Sequence, residues 1–168
     1  MTPQQIKIRK MLADKQGILL AHYYTRPEIQ EIADVLGDSL VLAQQAAQSN
    51  AKIIVFAGVH FMAQSAAMLS PQKMVLLPCL DAGCPLADMA DAESVRKMRR
   101  THPDAVFVTY INSTAEVKAE CDICCTSSNA LKVVQTLPPE QKIILLPDGN
   151  LARHVASVTG KKIIPWEG

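Results

Sequence analysis

The sequence predicts an α/β protein made of two duplicated three-layer α/β domains with short parallel sheets. Aliphatic runs such as Ile53 to Ala57 are apolar on both faces, as in a buried parallel strand. Segments with apolar residues at helical spacing separate these runs, which favours strands alternating with helices. The same order of segments recurs about 88 residues further along the chain, which indicates an internal repeat.

The first copy is predicted to contain three strands and three helices. The strands are expected at Gly17–Ala21, Ile53–Ala57 and Met74–Leu77. Pro27 suits a first helical turn, so the helices are expected at 27–36, after Ser39, and at 60–69. The first domain is placed at residues 1–85 and includes an N-terminal helix.

The second copy repeats this β-α-α-β-α-β order over residues 86–168. Its strands are expected at 105–109, 143–146 and 162–164, and its helices begin at about Thr114, Ser128 and Asn150. Residues 92–102 are interpreted as a charged linking helix that ends before Pro103.

The two copies align at nearly constant offsets. An offset of 88 aligns A-H-Y-Y (Ala21 to Tyr24) with T-Y-I-N (Thr109 to Asn112). The same offset aligns Ser39 with Ser127. The following strands align with Ile53 over Ile143 at an offset of 90, and the closing prolines, 78 and 165, at 87.

Composition narrows the classes of function. The 17 Lys and Arg against 16 Asp and Glu leave a net charge of +1 without a basic run, so neither nucleic acid nor a membrane surface is expected as a partner. Residues 1–10 are polar and unlike a signal peptide, so the expected location is cytoplasmic. In that compartment the five cysteines favour metal binding or reactive thiols over disulfides.

Polar residues follow the first strand of each copy, where parallel sheets bind ligands. The first copy offers His22, Tyr24 and Ser39, and the second offers Tyr110, Asn112 and Ser127. If the copies face each other, these groups converge on one pocket.

Each of these residues also has a simpler interpretation. His22 alone could merely terminate the strand. With Tyr24 two residues on, it could bind an anionic or carbonyl substrate and transfer protons near neutral pH. Ser39 and Ser127 could be N-caps, or they could lie at helix N-termini that bind carboxylate or phosphate groups.

The cysteines suggest several alternatives. Cys84 lies in a loop containing Gly and Pro after a strand, where it could be a core residue or a ligand. Cys121, Cys124 and Cys125 could pack in the interior, carry out thiol redox chemistry or bind zinc, although no second pair stands at zinc-site spacing. A nicotinamide-dependent dehydrogenase is disfavoured because no G-x-G-x-x-G follows a strand.

Residues 16–168 resemble the quinolinate synthase family throughout. The matching segments, in order, are A-H-Y-Y, I-A-D-V-L-G-D-S-L, F-A-G-V-H-F-M-A, L-S-P-Q-K-M-V-L-L-P, A-G-C-P-L-A-D-M, T-Y-I-N-S-T-A-E-V-K-A, C-T-S-S-N-A, L-L-P-D-G-N-L-A and W-E-G. The resemblance implies three duplicated domains around a pseudo-threefold axis, of which this chain supplies the N-terminal two.

The resemblance also implies chemistry that spacing alone does not indicate. Each domain of the family gives one cysteine to a [4Fe–4S] cluster that acts as a Lewis acid, and Cys84 matches the first ligand, with the others expected beyond Gly168. The implied reaction condenses iminosuccinate with dihydroxyacetone phosphate to quinolinate, in NAD biosynthesis. The expected upstream supplier of iminosuccinate is L-aspartate oxidase or aspartate dehydrogenase.

The resemblance assigns roles position by position. His22, Ser39, Tyr110, Asn112 and Ser127 match residues that bind iminosuccinate, and Tyr24 matches a pocket tyrosine associated with proton transfer. Cys79 departs from the family, which more often has an acidic residue there, and Cys124 matches no functional position. A catalytically inactive bilobal fragment, and a thiol-redox or zinc protein, stay open as alternatives.

Overall fold

The computed structural model describes residues 1–168, which divide into two compact units at residues 1–83 and 84–168. The expected boundary was two residues further along, at 85. Each unit contains its own sheet and its own core.

The first unit contains four helices and four strands. The helices are α1 (Pro3–Asp14), α2 (Pro27–Gln30), α3 (Ser39–Gln48) and α4 (His60–Leu69). The strands are β1 (Gly17–His22), β2 (Val35–Gly37), β3 (Ile53–Ala57) and β4 (Met74–Leu76), in the order β2-β1-β3-β4. All neighbouring strands are parallel, and β1 and β3 supply the fully buried Leu20, Ile54 and Phe56.

The second unit has the same architecture. After a 3₁₀ turn at Ala87–Met89, its helices are α5 (Ala92–Thr101), α6 (Ala115–Ala119), α7 (Ala130–Gln135) and α8 (Gly149–Thr159). Its strands are β5 (Val106–Tyr110), β6 (Ile123–Cys125), β7 (Ile143–Leu146) and β8 (Ile163–Pro165), in the order β6-β5-β7-β8. The predicted fold class, two duplicated α/β domains with parallel sheets, is confirmed.

Strand register corrects the predicted alignment by one residue in two places. His22 pairs with Gly37 and Tyr110 pairs with Cys125, so the offset of 88 holds across both pairs. Ile18 pairs with Ile54, whereas Val106 pairs with Ile143, which sets an offset of 89 for the next strand rather than 90. In the last strands, Val75 matches Ile163 at 88, so Pro165 is the counterpart of Leu77 and not of Pro78.

Two short strands were missed by the sequence prediction. The helix expected at 27–36 ends after Gln30, and β2 follows it; β6 lies where no strand was expected. A three-residue strand is too short to show alternation of apolar and polar residues. Its strand conformation is decided by pairing with β1 or β5. Sequence periodicity does not show which strands pair.

The charged segment 92–102 is also corrected, because α5 is the counterpart of α1 and not a linker. Arg9 of α1 donates to Asp34 Oδ1 at 2.7 Å, and Arg99 of α5 donates to Asp122 Oδ2 at 3.0 Å. Each aspartate also accepts a backbone N–H from the central strand, Leu19 at 2.8 Å in one unit and Phe107 at 2.7 Å in the other. The same three-part bridge therefore joins helix, loop and strand in both units.

A pair of lysines supports the duplication independently. Lys73 donates to the carbonyl oxygens of Ala46 and Ser49 at 2.5 Å, at the end of α3. Lys161, 88 residues further on, donates to the carbonyl oxygen of Leu137 at 2.5 Å, just after α7. Each lysine thus binds carbonyl oxygens at or just after the C-terminal end of the equivalent helix.

The aspartate bridge leads to a stability prediction. Replacing Asp34 with alanine leaves the Leu19 N–H without its carboxylate acceptor and Arg9 without its ion pair. We expect a loss of about 1–3 kcal/mol in the free energy of unfolding, measured by urea denaturation followed by circular dichroism. Glu140→Ala serves as the control, because its ion pair with Lys162 is 87% and 76% exposed and is expected to contribute less. Equal losses in both variants would contradict a special role for the bridge.

Candidate functional site

His22 is the last residue of β1 and is only 6% exposed, although it is polar and lies at the carboxyl end of the sheet. Its Nδ1 accepts the backbone N–H of Tyr24 at 3.2 Å. The two rings lie with centroids 4.3 Å apart at an angle of 60°, an edge-on contact. The imidazole is therefore held by a hydrogen bond to one nitrogen and by contact with the Tyr24 ring.

Burial lowers the pKa of His22 from its usual value, and the carboxylate of Asp38 opposes this shift. The ordinary pKa of histidine is already below 7. The imidazole is therefore neutral at pH 7 and remains so at more acidic pH than an exposed histidine does. A neutral imidazole has one donor nitrogen and one acceptor nitrogen.

A cavity of about 330 Å³ opens beside His22, entirely within the first unit. It lies among the segments that follow β1, β3 and β4, as expected for a ligand site of a parallel sheet. No charged side chain lines it; its lining residues are His22, Tyr24, Thr25, Ile29, Ala57, Gly58, Val59, Met62, Pro78 and Cys79. A bound anion would therefore meet neutral hydrogen-bond donors rather than a lysine or arginine.

Of the residues predicted in the first copy, His22 and Tyr24 line this cavity and Ser39 does not. Tyr24 is 89% exposed at its rim. Ser39 is the first residue of α3 and lies at the same edge of the sheet, because β2, which precedes it, pairs with β1. Asp38 is the N-cap, with Oδ1 accepting the N–H of Val41 at 2.9 Å, so the N-cap interpretation of Ser39 is wrong.

The second unit places its predicted residues at the equivalent edge. Tyr110 ends β5 and is half-buried, as is Asn112 two residues later, and Ser127 is exposed after β6. The N-cap of α7 is Asn129, so Ser127 is not an N-cap either. The convergence of both sets of residues on one pocket stays a prediction.

A larger cavity of about 490 Å³ in the second unit contains none of the predicted residues. It lies between α5 and the end of β8, and it is lined by Ser94, Lys97, Met98, Thr101, Ile164, Pro165, Trp166 and Glu167. The larger of these two cavities is therefore not the one beside the polar residues at the strand ends.

The loop that carries Cys84 is attached to the N-terminal end of α4. The N–H of His60, the first residue of that helix, donates to the carbonyl oxygen of Ala82 at 2.8 Å. Cys84 itself is half-buried, and its carbonyl oxygen accepts the N–H of Asp88 at 3.0 Å. Backbone hydrogen bonds thus hold the loop on both sides of the Cys84 thiol.

The other cysteine cluster is arranged for packing. Cys124 and Cys125 are consecutive residues of β6 and project to opposite faces of the sheet. Cys125 is 1% exposed in the core, and Cys121 packs against a neighbouring part of it. Burial raises the pKa of Cys121 and of Cys125 to about 12, which disfavours the thiolate form that binds metals.

Sequence reasoning missed several residues around His22. Asp38 carried a usable signal, since an aspartate just before a helical segment is a preferred N-cap. Thr25, Gly58 and Met62 carried none, because a threonine after a strand and a methionine in a helix are common in any fold. Their place in the cavity lining depends on how β1 and β3 pair.

None of the helices is both long enough and apolar enough to cross a membrane.

Two units of one topology, each with a parallel sheet, define a duplicated α/β protein. In the first unit a buried histidine lies at the end of a central strand, beside a cavity. Residues 6–168 match the family described as quinolinate synthetase A protein. The chain therefore belongs to the quinolinate synthetase A family.

Curated relatives agree with this assignment. The chain is 53% identical over 162 residues to quinolinate synthase 1 of Methanosarcina acetivorans, covering 96% of this chain and 53% of the relative. It is 57% identical over 163 residues to a quinolinate synthase of Pelobacter propionicus, covering 96% and 53%. It is 54% identical over 170 residues to one of Geobacter, covering 100% and 56%. The chain spans about half the length of these relatives.

The packing of the cysteines leads to a second prediction. Cys125→Ser places a hydroxyl in the core without a partner, so we expect a loss of about 1–3 kcal/mol in the free energy of unfolding. Cys124→Ser changes an exposed side chain and should leave stability nearly unchanged. A chelator should not alter the unfolding of the unmodified chain. If chelation destabilises the chain, and both variants lose bound zinc to the same extent, the cluster is a metal site.

Proposed function

We propose that these residues form part of a quinolinate synthase that condenses iminosuccinate with dihydroxyacetone phosphate. The reaction releases phosphate and two waters and yields quinolinate for NAD biosynthesis. The observation that carries the proposal is the buried His22 beside a cavity without charged lining, in a chain that matches the family over residues 6–168. Quinolinate synthase is the name of relatives twice as long, so the activity is proposed for a longer protein that contains these residues.

In this proposal the chain binds the acid through neutral donors. His22 and Ser39 contact iminosuccinate from the first unit, and Tyr110, Asn112 and Ser127 contact it from the second. Because no lysine or arginine lines the cavity beside His22, a carboxylate bound there would be held by N–H and O–H groups. Tyr24 is proposed to assist proton transfers, because its ring contacts His22 and its hydroxyl is on an exposed residue at the rim.

The residues of this chain fit one ligand of a [4Fe–4S] cluster, and not a whole site. Such clusters are held by several cysteine thiolates, and no group of three or more His, Cys, Asp or Glu side chains in the chain could hold a metal ion. Cys84 is the proposed single ligand, in a loop held by backbone hydrogen bonds. When bound by three cysteines, such a cluster has an open iron that acts as a Lewis acid toward a substrate oxygen.

Iminosuccinate would come from L-aspartate oxidase or aspartate dehydrogenase, and the reaction would take place in the cytoplasm. The near-neutral charge balance supports small-molecule substrates rather than nucleic acid or membrane partners.

A second candidate is a catalytically inactive two-unit fragment. The observation that favours it is the single proposed cluster ligand in a chain that covers about half of its relatives. The inactive fragment is proposed for the 168 residues, and the full activity is proposed for a longer protein that contains them. An assay of both lengths of chain therefore tests both proposals.

The role of His22 can be tested in a full-length enzyme that contains these residues. His22→Ala should lower kcat/KM by about 10²–10⁴-fold, the range for a group that takes part in proton transfer. Tyr24→Phe, which removes only the hydroxyl, should lower kcat/KM less. His154 is exposed on α8, so His154→Ala should leave the rate unchanged. An unchanged rate in His22→Ala would refute the assignment.

The 168 residues alone should not make quinolinate, because two of the three proposed cluster ligands lie outside them. Anaerobic reconstitution with iron and sulfide, followed by a quinolinate assay, measures this directly. In the full-length enzyme, Cys84→Ser should abolish both cluster absorbance and turnover, while Cys79→Ser should retain the cluster. Turnover by the 168 residues comparable to that of the full-length enzyme would overturn the ligand assignment.

A further inference from the structure

Gln30, the last residue of α2, connects the helix to the turn that follows His22. Its side-chain Nε2 donates to the carbonyl oxygen of Tyr23 at 2.9 Å and to that of Thr25 at 2.7 Å. Both partners are carbonyl oxygens, which only accept hydrogen bonds. The amide orientation of Gln30 is therefore unambiguous, and its NH₂ group bridges two points of one turn.

Thr25 closes the same turn from the other side. Its backbone N–H and its hydroxyl both donate to the carbonyl oxygen of His22, at 2.9 and 2.8 Å. Residues 22–25 are thus held at three carbonyl groups, those of His22, Tyr23 and Thr25. The Tyr24 N–H belongs to the same planar peptide unit as the Tyr23 carbonyl, so the bond from Gln30 to that carbonyl also fixes the direction of the N–H.

The fixed Tyr24 N–H determines which nitrogen of His22 carries the proton. Because this N–H donates to Nδ1 at 3.2 Å, Nδ1 must present its lone pair. In a neutral imidazole the proton then resides on Nε2. Nε2 has no hydrogen-bond partner in the chain, and the imidazole lines the cavity, so this N–H is left to bind a ligand oxygen.

We propose that Gln30 is a positioning residue that keeps His22 in its Nε2–H tautomer by holding the Tyr23–Thr25 turn. His22 is then a hydrogen-bond donor to a carboxylate or carbonyl oxygen, and the proton on Nε2 is the one that it shares with that ligand. The identity of that ligand rests on the proposed function, whereas the tautomer and its dependence on Gln30 do not.

The second unit has different residues at the two positions equivalent to His22 and Gln30. At the same offset of 88 residues, Tyr110 replaces His22 and Lys118 replaces Gln30. A phenol has no second ring nitrogen, so no tautomer needs to be selected there. The replacement also suggests a substitute for Gln30, since a lysine ammonium bridges carbonyl oxygens elsewhere in this chain: Lys161 donates to those of Leu137 and Pro138.

The test is nitrogen NMR of the 168-residue chain labelled with ¹⁵N-histidine, at pH 8 and without ligand. The His22 signals are identified by their loss in His22→Gln, which separates them from those of the other three histidines. The unmodified chain should show a pyridine-type shift for Nδ1 and a pyrrole-type shift for Nε2. In Gln30→Ala and Gln30→Glu, which lack the donors, both shifts should move toward each other. Gln30→Lys should restore the original pattern.

Gln48→Ala provides the control, because Gln48 is likewise the last residue of its helix but is exposed. It should leave the His22 shifts unchanged. A proton on Nδ1 in the unmodified chain would overturn the proposal, as would an unchanged pattern in both Gln30→Ala and Gln30→Glu. If Gln30→Ala does not fold, the Glu and Lys variants decide: different tautomer patterns support the proposal, and identical patterns overturn it. Since no substrate is present, failure here is distinct from failure of the proposed enzyme activity.

Discussion

Strand β1 is hydrogen-bonded on both sides, to β2 and to β3, and its last residue is His22. This double pairing fixes the carboxyl end of the strand, since neither neighbour can shift without breaking a parallel ladder. The loops after β1 and β3 must then leave the sheet at the same edge. The burial of His22, the cavity beside it and the turn that orients its ring all depend on this arrangement.

The duplication separates the scaffold from the chemistry. The two units keep the aspartate bridge, the lysine at a helix end and the strand order. They differ where the central strand ends, with His22 in one unit and Tyr110 in the other. Groups that maintain the backbone are thus repeated, while groups at the strand end have diverged. This pattern is expected when stability constrains the scaffold and ligand chemistry constrains the loops.

Elements with a long apolar pattern were predicted, whereas two of the four three-residue strands were missed. Strand β3 and helix α4 have the bounds expected from the sequence, because each is long enough for its apolar pattern to identify it. Strands β2 and β6 contain three residues each and exist because a longer strand pairs with them. The sequence predicted a helix in the charged segment before β5. Only the bridge from Arg99 to Asp122 identified this helix as the counterpart of α1.

The sequence by itself determined the family, the fold class, the repeat and the polar residues after each central strand, because these properties are carried by residue order and periodicity. Only the tertiary structure decided that His22 is buried and held at Nδ1, that Asp38 rather than Ser39 caps α3, and that Cys125 packs in the core. These properties depend on which atoms lie within hydrogen-bonding or packing distance. Residues far apart in the chain, such as Leu19 and Asp34, are brought together by strand pairing and helix packing, and no local pattern in the sequence records those distances.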